Sequence, residues 1–416
     1  MANWRLLARR ITSSFIIGLC LVNLSDSSLS KSIKHPVILI PGDGGSQLEA
    51  KLNKTKSVHI FCSQKTSDYF ALWLNLELME PYVLDCFVDN MRLVYDNVTR
   101  TTKNSPGVDI RIPGFGGTKT VEWLDSSEIS PTSYFSVMVQ DLLSMGYVRN
   151  QSVRGAPYDF RKAPNEQADF FLKFKQLIEE TFTMNNNSRV VLVGHSMGNM
   201  YTLYFLNHQP QQWKDKYIRS FVSLAGPWGG AAKTLRLMSS GDSLGFYSII
   251  LNPLEIRPQQ RSMPSTAWLL PTDSVWSPDD VLVSRPGYNY TLKDYKKFFQ
   301  DLNFMDGWYM RQDTEGLTRK LSPPGVEVHC VHGLGVKTPA AFSFTEKQWP
   351  DSQPTVTYSN GDGTVNSRSL EGCLLWQERQ PQSVYHYVIP NAEHMQLLYN
   401  ADAIKIIKKV AGSDTP

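Results

Sequence analysis

The 416-residue chain has little net charge, few cysteines and, beyond its first thirty residues, no long apolar run. Each scarcity excludes something. A formal net charge of +3 provides no strong positive field, which argues against nucleic acid as a partner. No stretch after the N-terminal segment is apolar and long enough to span a bilayer. There is no internal repeat and no low-complexity tract, so repeat arrays and disordered linkers are set aside. Hydrophobic residues at 41% and charged residues at 19% describe a globular chain. Its length suits one large α/β domain with insertions, or two domains.

The N-terminus is a different kind of segment. Arg5, Arg9 and Arg10 precede a short apolar run at 15–22, and small polar residues follow at 25–30. Residues 1–30 read as a secretory signal peptide, too short for a transmembrane helix. Cys20 leaves with it. Cys62, Cys86, Cys330 and Cys373 remain, an even number in a chain bound for an oxidising compartment. Three pairings are possible. Cys62–Cys86 with Cys330–Cys373 is expected, because short loops close most easily, and a loop of about 25 residues stabilises by roughly 3 kcal/mol when bridged. Asn53, Asn97, Asn150, Asn186 and Asn289 each open an Asn-x-Ser/Thr sequon and read as glycan sites on exposed loops.

The stretch at 190–199, Val-Val-Leu-Val-Gly-His-Ser-Met-Gly-Asn, organises the rest. Four β-favouring residues run into Gly194-His195-Ser196-Met197-Gly198, and a helical pattern follows. Strand, tight turn and helix with a serine at the apex form a nucleophile elbow. The flanking glycines are needed because strand and helix backbones nearly touch there.

A serine hydroxyl needs a base, and the base needs a group that fixes its tautomer. In this fold class the order is Ser, then acid, then His. His394, in a loop just after the last expected strand, is placed where the base should lie. His386 falls inside that strand, and His195 belongs to the elbow with its ring pointing away from Ser196. Asp362, on the glycine-flanked loop Asn360-Gly361-Asp362-Gly363-Thr364, is the acid. An early strand at 35–40 ends in Pro41-Gly42-Asp43-Gly44-Gly45, which would give the Asp43 N–H to an oxyanion hole beside that of Met197. No metal site is expected. His329 and His332 stand three apart on a strand, which points the two rings to opposite faces.

Further strands are expected at 218–225, 326–332 and 384–389, with helices at 136–143, 168–182 and 401–410. Their alternation predicts an α/β fold with a mainly parallel sheet covered by helices on both faces. Two insertions interrupt it. Residues of about 58–95 form a small lobe whose apolar run, including Trp73, Leu74 and Leu76, either packs on the sheet or dips into a lipid surface. Residues of about 234–322 form a cap, with 241–261 as a candidate lid.

These residues together resemble the lecithin:cholesterol acyltransferase family. The matching stretches are Pro-Gly-Asp-Gly-Gly-Ser-Gln-Leu-Glu-Ala at 41–50, Arg-Gly-Ala-Pro-Tyr-Asp-Phe-Arg at 154–161 and Gly-His-Ser-Met-Gly-Asn-Met at 194–200. Ala-Gly-Pro-Trp-Gly-Gly at 225–230, Gly-Asp-Gly-Thr-Val at 361–365 and Glu393-His394 complete the set. The resemblance runs from about 35 to 410. It implies an α/β-hydrolase core, a Ser196–Asp362–His394 triad, Asp43 and Met197 at the oxyanion hole, and a membrane-binding lobe. It also implies acyl transfer from the sn-1 or sn-2 position of a glycerophospholipid to water or to a lipid alcohol such as ceramide, without metal or other cofactor, on a membrane surface that favours anionic lipid. The Pro-rich tail of the plasma sterol-acylating branch is absent, which favours the lysosomal phospholipase branch. The implied address is then the lysosome through the secretory pathway, with secretion as a second destination. Two rivals stand: a plasma-type phosphatidylcholine–sterol acyltransferase, and a non-catalytic lipid-binding protein, whose signature would be a lost triad member.

Overall fold

Six parallel strands form the spine of the structure, a computed structural model that describes residues 34–243 and 252–412. They are β1 (Val37–Ile40), β2 (Val153–Gly155), β3 (Val190–His195), β4 (Ile218–Leu224), β5 (Val328–Leu334) and β6 (Val384–Pro390). Their order is β6-β5-β4-β3-β1-β2, and every neighbouring pair is parallel. β1 and β3 are buried along their whole length, as continuous apolar runs covered on both faces must be. Residues 1–30, read from the sequence as a signal peptide, and the stretch 244–251 of the candidate lid lie outside the described residues.

The helix Ala168–Met184 shows how closely the periodicity can be read. Phe171 stands at helical spacing with Phe174, Leu177, Ile178 and Thr181 in the sequence, and the structure buries Phe170 with those last four. Phe171 stands at the edge of the stripe and packs instead on the rings of Tyr201, Tyr204 and Phe205, in the helix Met197–Asn207.

The strand order positions the site. After β1 the chain goes to β2 at one edge, then returns to β3 on the opposite side of β1. Loops leaving the carboxyl ends of β1 and β3 therefore diverge over a crevice, where α/β sheets bind ligands. Asp43 follows β1 and Ser196 follows β3.

The apolar run of the lobe takes the first of its two expected alternatives, and the cap extends past its expected bounds. In the lobe, Phe70–Trp73 pairs with Leu48–Leu52, which pairs in turn with Val108–Arg111. This turns Leu72, Trp73 and Leu74 inward, and all three are buried, while Leu76 is half-buried against the same core. The large apolar side chains that the lobe exposes most are Ile60 (86%), Tyr82 (80%) and Phe61 (63%). The cap reaches beyond 234–322. Its hairpin, Val283–Arg285 with Tyr288–Tyr290, joins Val336–Ser343 and Thr355–Gly361 in a four-stranded sheet. Trp276, Phe298, Phe299 and Phe342 fill a second core there. Pro339 and the register shift between Pro339 and Ala341 hide the Val336–Ser343 strand from a pattern reading.

Disulfides join Cys62 to Cys86 and Cys330 to Cys373. The second ties β5 to the short helix Glu371–Trp376. All five sequon asparagines are exposed. Among the described residues, no helix is long and apolar enough to cross a membrane.

Candidate active site

Ser196 sits between β3 and the helix Met197–Asn207 with φ 53° and ψ −127°. A non-glycine residue holds such a backbone only when its surroundings impose it. Here they do. A Cβ on Gly198 would lie 2.4 Å from the carbonyl oxygens of both Ile40 and Pro41, and one on Gly194 would lie 2.5 Å from Asn199 Oδ1. Only glycine lets the turn close this tightly.

His394 meets the serine from the loop after β6. Its Nε2 lies 2.9 Å from Ser196 Oγ, and its Nδ1 lies 2.7 Å from Asp362 Oδ2. Asp362 is fully buried. Its Oδ1 accepts the Thr364 and Val365 amides at 3.0 and 2.7 Å, and its main-chain carbonyl accepts the His394 N–H at 2.8 Å. The two loops are thus bound to each other by main chain as well as side chain. An Nδ1–H held by the carboxylate leaves Nε2 free to accept the serine proton, the arrangement that activates a hydroxyl.

The loop after β1 is held from three sides. Trp73 Nε1–H donates to the Gly44 carbonyl at 2.7 Å, the Tyr158 hydroxyl donates to the Pro41 carbonyl at 2.9 Å, and the Gly42 N–H donates to the Tyr134 hydroxyl at 3.0 Å. The amides of Asp43 and Met197 have no acceptor among the described residues; Met197 opens its helix, where amides are free by construction. Two such donors beside Ser196 Oγ suit the stabilisation of a developing oxyanion.

Tyr134 and His195 escaped the sequence reading as site residues. The Tyr134 hydroxyl lies 2.5 Å from His195 Nδ1, and His195 Nε2 lies 3.1 Å from the His394 carbonyl oxygen. Burial holds the His195 pKa well below its usual range, and the neighbouring His394 ring adds to the effect. The ring is therefore neutral: Nε2–H donates to the carbonyl, and Nδ1 accepts from Tyr134. No local signal marks Tyr134, which acts across sixty-one residues of sequence.

A cavity of about 200 Å3 opens over Ser196. Trp73, Met79, Leu84, Phe87, Leu124 and Phe160 make its walls apolar, so Trp73 faces this cavity and not the outer surface. A smaller cavity of about 90 Å3, lined in part by Leu237, Leu269 and Val365, meets it at Ser196 and Asp43. Two charged groups face them. Asp43 lines both cavities, and desolvation raises its pKa to about 6 against a smaller opposing effect of the Gly44 amide. Burial, followed by the like charge of Arg236, lowers Lys233 to about 8.

His329 and His332 do not converge. His329 stacks on Tyr385, whereas His332 Nε2 lies 2.7 Å from His386 Nε2. Among the described residues, no group of three or more His, Cys, Asp or Glu side chains could hold a metal ion.

A model of the lecithin:cholesterol acyltransferase family matches residues 69–401. The chain is 52% identical over 392 residues to the Homo sapiens protein named lysosomal phospholipase A and acyltransferase, covering 94% of each. The Bos taurus protein of the same name is 50% identical, with 94% of this chain and 95% of that one covered. Phosphatidylcholine-sterol acyltransferase of Gallus gallus is 44% identical over 366 residues, covering 88% of this chain and 87% of that one. The chain belongs to the lecithin:cholesterol acyltransferase family.

Proposed function

We propose that this protein is a serine phospholipase A and transacylase that moves a fatty acyl chain from a glycerophospholipid to water or to a lipid alcohol such as ceramide. The observation that carries the reading is the contact sequence Ser196–His394–Asp362 at 2.9 and 2.7 Å, opening into a cavity walled by apolar side chains. The higher identity to the proteins named lysosomal phospholipase A and acyltransferase than to the sterol acyltransferase supports that branch and a lysosomal address reached through the secretory pathway.

In the first half-reaction Ser196 Oγ attacks the ester carbonyl carbon while its proton passes to His394 Nε2. The carbonyl oxygen gains negative charge and takes hydrogen bonds from the Asp43 and Met197 amides; one such donor lowers the barrier by roughly 3–4 kcal/mol. The C–O bond to the glycerol breaks, and the departing oxygen takes the proton from His394. The acyl group is left as an ester on Ser196. In the second half, water or a primary hydroxyl gives its proton to His394 Nε2 and attacks that ester. The tetrahedral species collapses, the acyl group leaves on the acceptor, and Ser196 recovers its proton. Asp362 holds the imidazole and its charge throughout. No step calls on a cofactor.

Ile60, Phe61 and Tyr82, beside the Cys62–Cys86 bridge, supply the apolar contact with the membrane, and the sequon asparagines carry glycans on the remaining surface. Trp73 and Leu74 act from within, as cavity wall and core. The test is product analysis on mixed liposomes of phosphatidylcholine, an anionic phospholipid and ceramide, at about pH 4.5 and about pH 7.4, with cholesterol replacing ceramide in a parallel series. The reading predicts free fatty acid with 1-O-acylceramide. Cholesteryl ester as the main product would select the plasma-type reading, and no acyl product from any liposome would contradict both.

A further inference from the structure

The helix Pro253–Arg261 has two working faces. Ile256, Gln259 and Gln260 line the Ser196 cavity. Arg257, Pro258 and Arg261, on the opposite side at helical spacing, line a second cavity of about 350 Å3 that shares no residue with the first. The volume is in the range of small-molecule sites.

Its charge is unbalanced. Arg92 pairs with Asp89 at 2.9 Å, and Arg257 pairs with Asp351 at 2.8 Å. Arg261 has no carboxylate partner among the described residues. Its guanidinium spends Nε–H and one Nη on the carbonyls of Met238 and Ser239, at 2.6 and 2.7 Å, and lies over the Phe304 ring. Burial lowers its pKa to about 10, and the like charge of Arg257 adds to that. Asp306, from the first turn of Met305–Thr314, also lines the cavity but makes no ion pair among the described residues, and burial raises its pKa. Three guanidinium groups, of Arg92, Arg257 and Arg261, thus line the cavity against the single lining carboxylate of Asp306. Leu93, Phe304 and Met310 provide an apolar wall beside it.

A planar cation next to an apolar wall fits a phosphate that carries a hydrocarbon segment. We propose that this second cavity binds the phosphate group of an anionic amphiphile, its charge against Arg257 and Arg261 and its apolar segment against Leu93, Phe304 and Met310. The site is separate from the chemistry at Ser196, and its test uses binding alone.

Isothermal titration calorimetry with decyl phosphate below its micelle concentration, decyl maltoside and inorganic phosphate tests it on the full protein. Arg261→Gln is expected to weaken decyl phosphate about tenfold, and Asp306→Asn to tighten it about threefold by removing a like charge. Decyl maltoside, which shares the chain but not the charge, should bind all three proteins alike. Arg261 also holds two carbonyls, so Asp306→Asn keeps the test decisive if Arg261→Gln does not fold. Equal decyl phosphate affinity in wild type and Asp306→Asn would overturn the proposal. Inorganic phosphate binding as tightly as decyl phosphate would overturn its amphiphile part, making this a site for the free ion.

Discussion

Tyr134 donates its hydroxyl hydrogen to His195 Nδ1 at 2.5 Å, behind the strained turn that carries Ser196. The same oxygen accepts the Gly42 amide, and the far side of the imidazole holds the His394 carbonyl. One unbroken chain of hydrogen bonds therefore links the loop after β1 to the loop that carries His394. Tyr134→Phe keeps the ring and removes the link. It leaves His195 Nδ1 and the Gly42 amide buried without partners, at about 1–3 kcal/mol each. The expected outcome is a fall in kcat of about tenfold or more with KM nearly unchanged, measured on a soluble ester. An unchanged kcat would mean that the two loops hold their positions without it.

The raised pKa of Asp43, about 6, sets a pH dependence inside the site. The folded value exceeds the ordinary 3.8, so the folded state holds the proton more tightly. The stabilising contribution is fully present below about pH 3.8 and is lost as pH rises through about 6. The same step puts a negative charge beside the forming oxyanion. Turnover of a soluble short-chain ester is expected to decline above about pH 6, and Asp43→Asn should flatten that decline. A profile with the same shape in the variant would assign the acid preference to the membrane surface instead.

Gly198 and Gly316 form a matched pair of substitutions. A methyl at Gly198 meets two carbonyl oxygens at 2.4 Å, whereas one at Gly316 meets nothing within 4 Å. Gly198→Ala is expected to destabilise by about 1–3 kcal/mol and to remove activity by shifting the turn. Gly316→Ala should leave both unchanged. Thermal melting with an esterase assay checks the pair.

Ile60 and Phe61 stand out from the lobe at 86% and 63% exposure. Burying such a side chain in an apolar phase is worth roughly 1.5–3 kcal/mol. Ile60→Ser with Phe61→Ser is expected to weaken liposome flotation by about tenfold or more, with soluble-ester turnover unchanged. Undiminished flotation would move the membrane contact elsewhere.

The features that were legible in the sequence are those written locally. The run into Ser196, the glycines on each side of it and the loop carrying Asp362 each declare their geometry within about ten residues. The parallel sheet is legible from its apolar runs. What stayed hidden depends on tertiary packing. Trp73 and Leu74 lie in a run apolar on all sides, a pattern that fits a lipid-facing surface as well as a core. Their inward direction is settled only by the pairing of Phe70–Trp73 with Leu48–Leu52. Tyr134 carries no turn, cap or charge signal, and its partners lie on loops distant in sequence. The extent of the cap was hidden because Pro339 breaks the strand pattern of the segment that completes it.

The most direct measurement is acid quench of the enzyme during turnover of phosphatidylcholine liposomes, followed by peptide mass spectrometry. The account predicts a fatty acyl ester on the peptide containing Ser196, absent from Ser196→Ala and diminished when ceramide is present to accept the chain. An acyl group on another residue, or steady product release with no acyl-protein at any quench time, would contradict it.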